Sequence, residues 1–385
     1  MKLKVLRLSD FRNFLHLVVP LAPGLNFFVG DNGQGKTNFL EAVHLLSRGS
    51  SFRPIEAGSL IRQGASRAKI SGRFEDHHLD NSVEMVIENG KKTILLNGKR
   101  TNSATLANLF PTVLFSPESL SAIKEGPEIR RKVIDELLVN HSPQQIRLLR
   151  EYTRALKARN RLLKNISENS GMRREQELAL ESLNKIYLLL ATQVTSAKIK
   201  AILDIQPYFA QAISTIAEQR PGDISVDYLI SGRSALSWTD SEVFDALQNR
   251  HHELARHEMS YGSSLVGPHR HDVKFLFAGN DSRFYCSQGQ QRALILALKT
   301  AEIVYHHKVH ATYPVLLLDD VMSELDVKRR VNLMKFLEGI SAQTLITSTD
   351  LTWSDHFGVE RNSVFSVASG QVEPRITDRQ QFEVT

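Results

Sequence analysis

A chain of 385 residues, 42% hydrophobic and 23% charged, is long enough for a core domain plus a second domain or a large insertion, and its composition is that of an ordinary globular protein. The net charge of +6 mildly favours a polyanionic partner. The single cysteine, Cys286, excludes an internal disulfide and a zinc site of paired cysteines. No start-of-chain run suits a signal peptide and no later apolar run approaches a membrane span, so a cytoplasmic protein without a membrane partner is expected.

Lys2 to Leu8 alternates as a strand, and Asp10-Phe-Arg-Asn-Phe14 turns the chain toward a second. Leu25 to Val29 is a buried-strand run that leads without a break into Gly30-Asp-Asn-Gly-Gln-Gly-Lys-Thr37, a match to G-x-x-x-x-G-K-(S/T) at every fixed position. Phe39, Leu40, Ala42, Val43, Leu45 and Leu46 then recur at helical spacing. Strand, glycine loop and helix together form a P-loop. The glycines at 30, 33 and 35 let successive N–H groups, including those of Asp31, Asn32 and Gln34, converge on a polyphosphate at a positive helix end. Lys36 reaches the outer phosphates, Thr37 is placed to ligate Mg²⁺, and Asn38 opens the helix beside them.

Lys69 to Lys99 reads as a β-meander with hairpin turns at Asn89-Gly90 and Asn97-Gly98. Pro111 to Phe115 is a further apolar strand, ended by Ser116-Pro-Glu118. From Ser119 to Arg256 strand signals nearly vanish, and amphipathic helices take over. Leu149, Tyr152, Leu156, Leu163 and Ile166 form one apolar seam, interrupted by Arg159; Leu180, Leu183, Tyr187, Leu190, Val194, Ala197 and Ala201 form a second. A short antiparallel hairpin with arms of about 30 to 40 Å is expected. Opposite the first seam, Arg147, Arg150, Arg154, Lys157, Arg161 and Lys164 step by threes and fours, a stripe suited to phosphate contacts on DNA or to a solvated face.

Strands return at His271–Phe277 and Arg283–Tyr285, followed by a helix from Gln290 to Tyr305. Ser287-Gln-Gly-Gln290 just before that helix is similar to the signature loop of ABC-type ATPases, in which a serine hydroxyl and a helix N-terminus meet the nucleotide of the other subunit. Pro314-Val-Leu-Leu-Leu-Asp-Asp320 is a Walker B strand: Asp319 holds the Mg²⁺ shell and Asp320 orients or deprotonates the attacking water. Ser323-Glu-Leu-Asp326 stands where such ATPases keep a D-loop, and Thr349 after the next strand occupies the switch position. Thr37 and Asp319 must share one metal ion although 282 positions separate them. The helical segment is therefore an excursion from the head, as in SMC-like ATPases. The fold class is α/β: an ABC-type P-loop ATPase head, a mixed β-sheet with flanking helices, carrying an inserted α-helical lobe. The domains are residues 1–118 and 263–385 for the two halves of the head and 119–262 for the lobe.

Over essentially its full length the chain resembles the RecF family of bacterial recombination-mediator ATPases. The residues that carry the match are Asp10-Phe-Arg-Asn-Phe14, the P-loop with Asn38-Phe-Leu-Glu-Ala42, Phe115-Ser-Pro-Glu118, Gly126-Pro127 with Arg130-Arg131, Gly267-Pro-His-Arg270, Ser287 to Arg292 and Leu318 to Asp326. The resemblance implies ATP with Mg²⁺ as cofactor, an ATP-dependent homodimer, DNA binding at gaps or single-strand/double-strand junctions, slow DNA-dependent ATP hydrolysis, and cooperation with RecR and RecO in loading RecA. In SMC-like heads the positions matching Arg12 and Asn13 contact nucleotide. His271 departs from the family's usual acidic residue, and Gly49-Ser50 departs before Ser51-Phe-Arg53. An ABC transporter subunit is disfavoured by the long P-loop-to-Walker-B distance; another SMC-like ATPase, or a nucleotide-gated DNA scaffold with incidental hydrolysis, is the alternative.

Overall fold

The computed structural model of the protein describes residues 1–53, 55–76, 79–142, 144–168, 173–217, 224–350 and 363–375. The chain divides into two compact units, one of Met1–Leu120, Thr215–Ala217 and Glu302–Thr385, the other of Ser121–Ser214 and Glu218–Ala301.

In the first unit, β1 (Lys2–Phe11), β2 (Phe14–Pro20), β3 (Leu25–Val29) and α1 (Lys36–Arg48) precede a meander of β4 (Arg67–Asp76), β5 (Leu79–Glu88), β6 (Lys91–Leu96) and β7 (Lys99–Arg100). After α2 (Ser103–Leu109) come β8 (Thr112–Phe115) and α3 (Pro117–Leu120). Asn89 and Asn97 take left-handed φ values of 50° ahead of Gly90 and Gly98, which supplies the primed turns that the Asn-Gly pairs predict. The chain leaves for the second unit through α4 (Pro127–His141), α5 (Gln145–Glu168), α6 (Arg174–Ala217), β9 (Ile224–Ile230), β10 (Arg233–Ser234), α7 (Asp240–Tyr261), β11 (Asp272–Phe277), β12 (Asn280–Asp281), α8 (Ser282–Tyr285) and α9 (Gln288–His310). It closes with β13 (Val315–Asp319), α10 (Val327–Glu338), β14 (Thr344–Ser348), β15 (Ser363–Ala368) and β16 (Gln371–Pro374).

The first unit holds two six-stranded sheets, β2-β1-β4-β5-β6-β7, which is antiparallel, and β16-β15-β3-β14-β13-β8, in which every pairing but β15–β16 is parallel. Strands buried on both faces need continuous apolar sequence. Leu25–Val29, Val315–Asp319 and Thr344–Ser348 are buried at every position, and their C-terminal ends share one sheet edge. Apolar residues of both sheets and of α1 join in one core that includes Phe28, Phe39, Leu46, Phe74 and Leu317.

The second unit departs from the sequence expectation in three ways. Its strands β9, β10, β11 and β12 form a four-stranded sheet, so the segment between Ser119 and Arg256 is not wholly helical. Ile224-Ser-Val-Asp-Tyr-Leu-Ile230 alternates over a few residues only, a weak signal between long helices. Arg283–Tyr285 belongs to a single helical turn, α8, because Asp281 caps it by accepting from the Arg283 N–H. The α6 helix runs 44 residues, about 66 Å, well beyond the expected arm, and continues through Pro207. By length and composition it is also apolar enough to cross a membrane, although over half of that stretch is buried inside the protein. The α5–α6 pairing itself is present: Tyr152 and Tyr187 stack with centroids 5.7 Å apart, and Arg159 donates to Asn184 at 2.7 Å.

Candidate nucleotide site at the parallel sheet edge

The P-loop leaves β3 and enters α1 through Gly35, at φ 117°. A Cβ there would come within 2.5 Å of Asn13 Nδ2, so this position requires glycine on both counts. A Cβ on Gly30 would meet the Val367 carbonyl oxygen at 2.1 Å. The loop tip is held from outside: Asn13 donates to the Gln34 carbonyl (2.9 Å) and accepts from Asn38 (2.9 Å), while the Ser369 N–H donates to Gln34 Oε1 (2.6 Å). Asp31, Asn32 and Gly33 remain exposed.

Lys36 is buried and folds back to donate to the carbonyls of Gly30 (2.5 Å) and Asp31 (2.9 Å). Burial pushes its ammonium below the ordinary lysine range, and the carboxylates of Asp320, Asp319 and Asp31 oppose that shift. Thr37 donates to Asp319 Oδ1 at 2.9 Å, which joins P-loop and Walker B strand at one point. Asp319 itself is buried, and burial raises its carboxyl above the usual range against hydrogen bonds from Thr37 and Thr347 and the charge of Arg53.

Asp320 takes a left-handed φ of 50° immediately after β13. Its N–H donates to Thr347 Oγ1 (2.9 Å), its carbonyl accepts from Ser323 Oγ (2.7 Å), and among the described residues its Oδ1 is buried with no hydrogen-bond partner. An orphaned carboxylate oxygen beside a Thr–Asp pair fits a hydrated divalent cation whose remaining ligands come from a nucleotide. Among the described residues no cluster of three His, Cys, Asp or Glu stands ready to hold a metal unaided.

Thr347 was not apparent in the sequence. Its hydroxyl lies 2.9 Å from both Asp319 Oδ1 and the Asp320 N–H, because Thr347 is the register partner of Asp319 across β13 and β14. The strand holds two threonines, Thr344 and Thr347, and only the register with β13 singles out Thr347. Thr349, predicted as the switch, is an exposed bend residue two positions later. Arg53, which donates to Asn38 Oδ1 (3.2 Å), and Glu118, just past β8, also act on the charge of Asp319, in opposite directions. Arg12 meets the P-loop helix: Nε and Nη2 donate to the two oxygens of buried Glu41 on α1 at 2.8 and 3.0 Å.

In the second unit, Ser287 caps α9. Its N–H donates to Gln290 Oε1 (2.8 Å) and its Oγ accepts from the Gln290 N–H (3.3 Å), a reciprocal capping box. Ser287 and Gln288 are exposed, as are Phe284 and Tyr285 just before them, at 76% and 68%; Gly289 and Gln290 are half-buried. The six basic residues of the stripe all lie on α5 and are exposed, with Arg147 paired to Glu151 at 2.8 Å and Lys164 to Glu168 at 3.7 Å.

The family model for the RecF/RecN/SMC N-terminal domain matches residues 2–370. The DNA replication and repair protein RecF of Heliobacterium modesticaldum is 34% identical over 376 residues, which is 97% of this chain and 99% of that protein. The chain belongs to the RecF family. The RecF of Geobacter sp. (strain M21) is likewise 34% identical, over 97% of this chain and all of its own. A solved structure of the recombination mediator protein RecF with ATP, from the RecFOR pathway, superposes with a TM-score of 0.85 at 32% identity, covering 97% of each chain. An Smc head bound to the C-terminal winged-helix domain of ScpA, 16% identical with a TM-score of 0.55 over 99% of each chain, shares the fold. RecF-family membership thus agrees with a head in which Thr37 and Asp319 meet across the sheet edge.

Proposed function

We propose that this RecF-family chain is an ATP-dependent DNA-binding recombination mediator in DNA repair and replication. The observation that carries the reading is the Thr37–Asp319 contact: the glycine loop, this Thr–Asp pair and the Asp320 Oδ1, without a hydrogen-bond partner among the described residues, lie at the C-terminal edge of one parallel sheet, where a triphosphate and its metal ion would fit. Gly30 to Asn38, with Lys36, hold the triphosphate, and Arg12 and Asn13, which brace helix and loop, contact the nucleotide beside them. Thr37 and Asp319 would hold Mg²⁺, which draws charge from the β- and γ-phosphates. Asp320 orients the attacking water and takes its proton, and Thr349 lies within the segment that meets the γ-phosphate.

Ser287, Gln288, Gly289 and Gln290 complete the site of a second copy of the chain. Their support is an exposed capped helix start flanked by two exposed aromatic rings, a surface suited to a partner. ATP binding then closes a homodimer on gapped or junction DNA along Arg147, Arg150, Arg154, Lys157, Arg161 and Lys164. Slow DNA-dependent hydrolysis releases it, and RecO and RecR work with it to load RecA in the cytoplasm.

Light scattering during size-exclusion chromatography, with and without ATP and gapped DNA, tests this. Wild type is expected to dimerise with ATP. Lys36→Arg should bind nucleotide yet lose turnover, since the charge survives and its geometry does not. Undiminished turnover in Lys36→Arg would falsify the site. Equal dimer and DNA grip with ATP or a non-hydrolysable analogue, with no release on hydrolysis, would favour a nucleotide-gated scaffold.

A further inference from the structure

The position of Ser287 is fixed by what holds the turn before it. Gln291, 6% exposed on the first turn of α9, donates through Nε2 to the carbonyls of Ser282 (2.9 Å) and Cys286 (3.3 Å), folding α8 onto the start of the helix. The α8 turn is held in its place by charge. Arg283 pairs with Asp281 at 2.6 Å and lies 3.7 Å from Asp272 on β11. Asp272 in turn receives both Nε (3.0 Å) and Nη2 (2.9 Å) of Arg130, a residue of α4 that is 2% exposed and also donates to the Glu125 carbonyl.

The same helix grips its surroundings twice more. Glu136 accepts from Lys299 at 2.9 Å, a fully buried lysine farther along α9. Asp135, the next residue back, pairs at 2.5 Å with Lys198, 3% exposed on α6. In each pair the cation is buried while its carboxylate stays partly exposed; such pairs contribute little net stability, but they fix one geometry and leave a costly buried charge when the carboxylate is lost. Three of them on one four-turn helix tie the signature helix to the long lobe helix.

We infer that α4 sets the pose of the signature segment, with Arg130 as a positioning residue: through Asp272 and Arg283 it fixes the turn that presents Ser287 to the nucleotide of a second copy. The inference rests on the trans role of Ser287 proposed above. Arg130 touches no nucleotide in this scheme; it acts through the α8 turn.

The test compares Arg130→Gln, Arg130→Lys and Arg283→Gln with Ser287→Arg as the direct lesion. Arg283 is only half-buried, so its variant breaks the relay without opening the interior around α4. ATP affinity of the single chain should stay at the wild-type value in all four. Arg130→Gln and Arg283→Gln should lower kcat and ATP-dependent dimer formation by about 10- to 100-fold, the scale of a displaced positioning group, with partial recovery in Arg130→Lys. Each is then mixed with Asp320→Asn, which supplies an intact signature but no base. Turnover should return, because one composite site has both halves sound. If Ser287→Arg mixed with Asp320→Asn recovers nothing, the trans reading itself fails. If that pair recovers while Arg130→Gln and Arg283→Gln keep wild-type kcat, or are not complemented, the positioning role of α4 is overturned.

Discussion

Thr37 donates its hydroxyl to Asp319 at 2.9 Å although 282 residues separate them. The contact joins the start of α1 to the C-terminal end of β13, and it has a thermodynamic side. Burial raises the Asp319 carboxyl, so the native state binds a proton more tightly than the unfolded chain does. For such a group the favourable contribution is present below the unfolded pKa and is lost as pH rises through the folded value. At pH 8 the carboxylate therefore costs stability until a cation compensates it. Asp319→Asn keeps an acceptor for Thr37 and Thr347 and removes the charge. The variant is expected to melt at a higher temperature than wild type without nucleotide and to lose the stabilisation by Mg-ATP. Thermal melts at pH 8 with and without Mg-ATP decide it; a lower melting point with an undiminished Mg-ATP shift would contradict the metal assignment.

Arg12 and Glu41 make the second prediction. Glu41 is fully buried on α1, and the Arg12 side chain, 16% exposed, meets it with two hydrogen bonds. Among the described residues, Arg12→Ala leaves the carboxylate with Ser51 Oγ as its remaining close donor (2.5 Å), and it should destabilise the protein by about 3–5 kcal/mol. Combining it with Glu41→Gln removes the stranded charge and should restore part of that loss. Urea unfolding of the two single variants and the double variant measures both. Additive losses would show that the pair is not coupled.

Much of this was legible in the sequence because local chemistry dictated it. The P-loop, the apolar Walker B strand and the two Asn-Gly hairpins are fixed by residues within a few positions of one another, and the structure has them where pattern and turn chemistry put them. What escaped depends on register and on distant partners. Thr347 matters because β14 lies beside β13, and nothing local to Thr344–Ser348 says so. Arg159 looked like a break in an apolar seam; it is 1% exposed and sits among Asn184, Ser264 and Glu258, which come from three later segments. The sheet of the second unit was hidden because β9 is short and pairs with β11, more than forty residues on in the sequence.

The third prediction concerns the α5 stripe. Arg150, Arg154 and Lys157 flank a shallow cavity of about 360 Å³ with Leu149 and Val139, and all three are exposed. Replacing all three by glutamate should weaken DNA binding and flatten the dependence of log K on log salt by about 2 to 3, one unit per lost phosphate contact. ATP turnover without DNA should not change. Fluorescence anisotropy with gapped DNA across a salt series reads the slope; an unchanged slope makes the stripe a solvated face.

The fourth prediction follows from two neighbouring histidines, His271, which is buried, and His269, which is half-buried. His271 is 5% exposed, with Nδ1 3.0 Å from the Tyr228 hydroxyl, and burial, with the charges of Lys198 and Arg131 nearby, lowers its pKa to about 3. His269 accepts from Tyr152 at Nδ1 (2.7 Å), donates from Nε2 to the Ser264 carbonyl (3.1 Å), and is lowered to about 4, burial again being the main cause. A depressed folded pKa means stability that is complete above the unfolded value of about 6.5 and is lost as pH falls toward the folded value. At pH 5 each histidine should therefore have cost about 2 kcal/mol. Glu258 does not confuse the measurement. Burial opposes its charge, but bonds from His251 and Arg159 more than offset that and hold it at about 2, so its contribution begins to fall only below the ordinary glutamate range. Unfolding free energies at pH 7.5, 6.5, 5.5 and 5.0 should decline for wild type. The decline should be shallower in His271→Gln and His269→Gln, whatever each substitution costs at pH 7.5. Slopes in both variants equal to that of wild type would mean that these imidazoles accept protons in the folded protein.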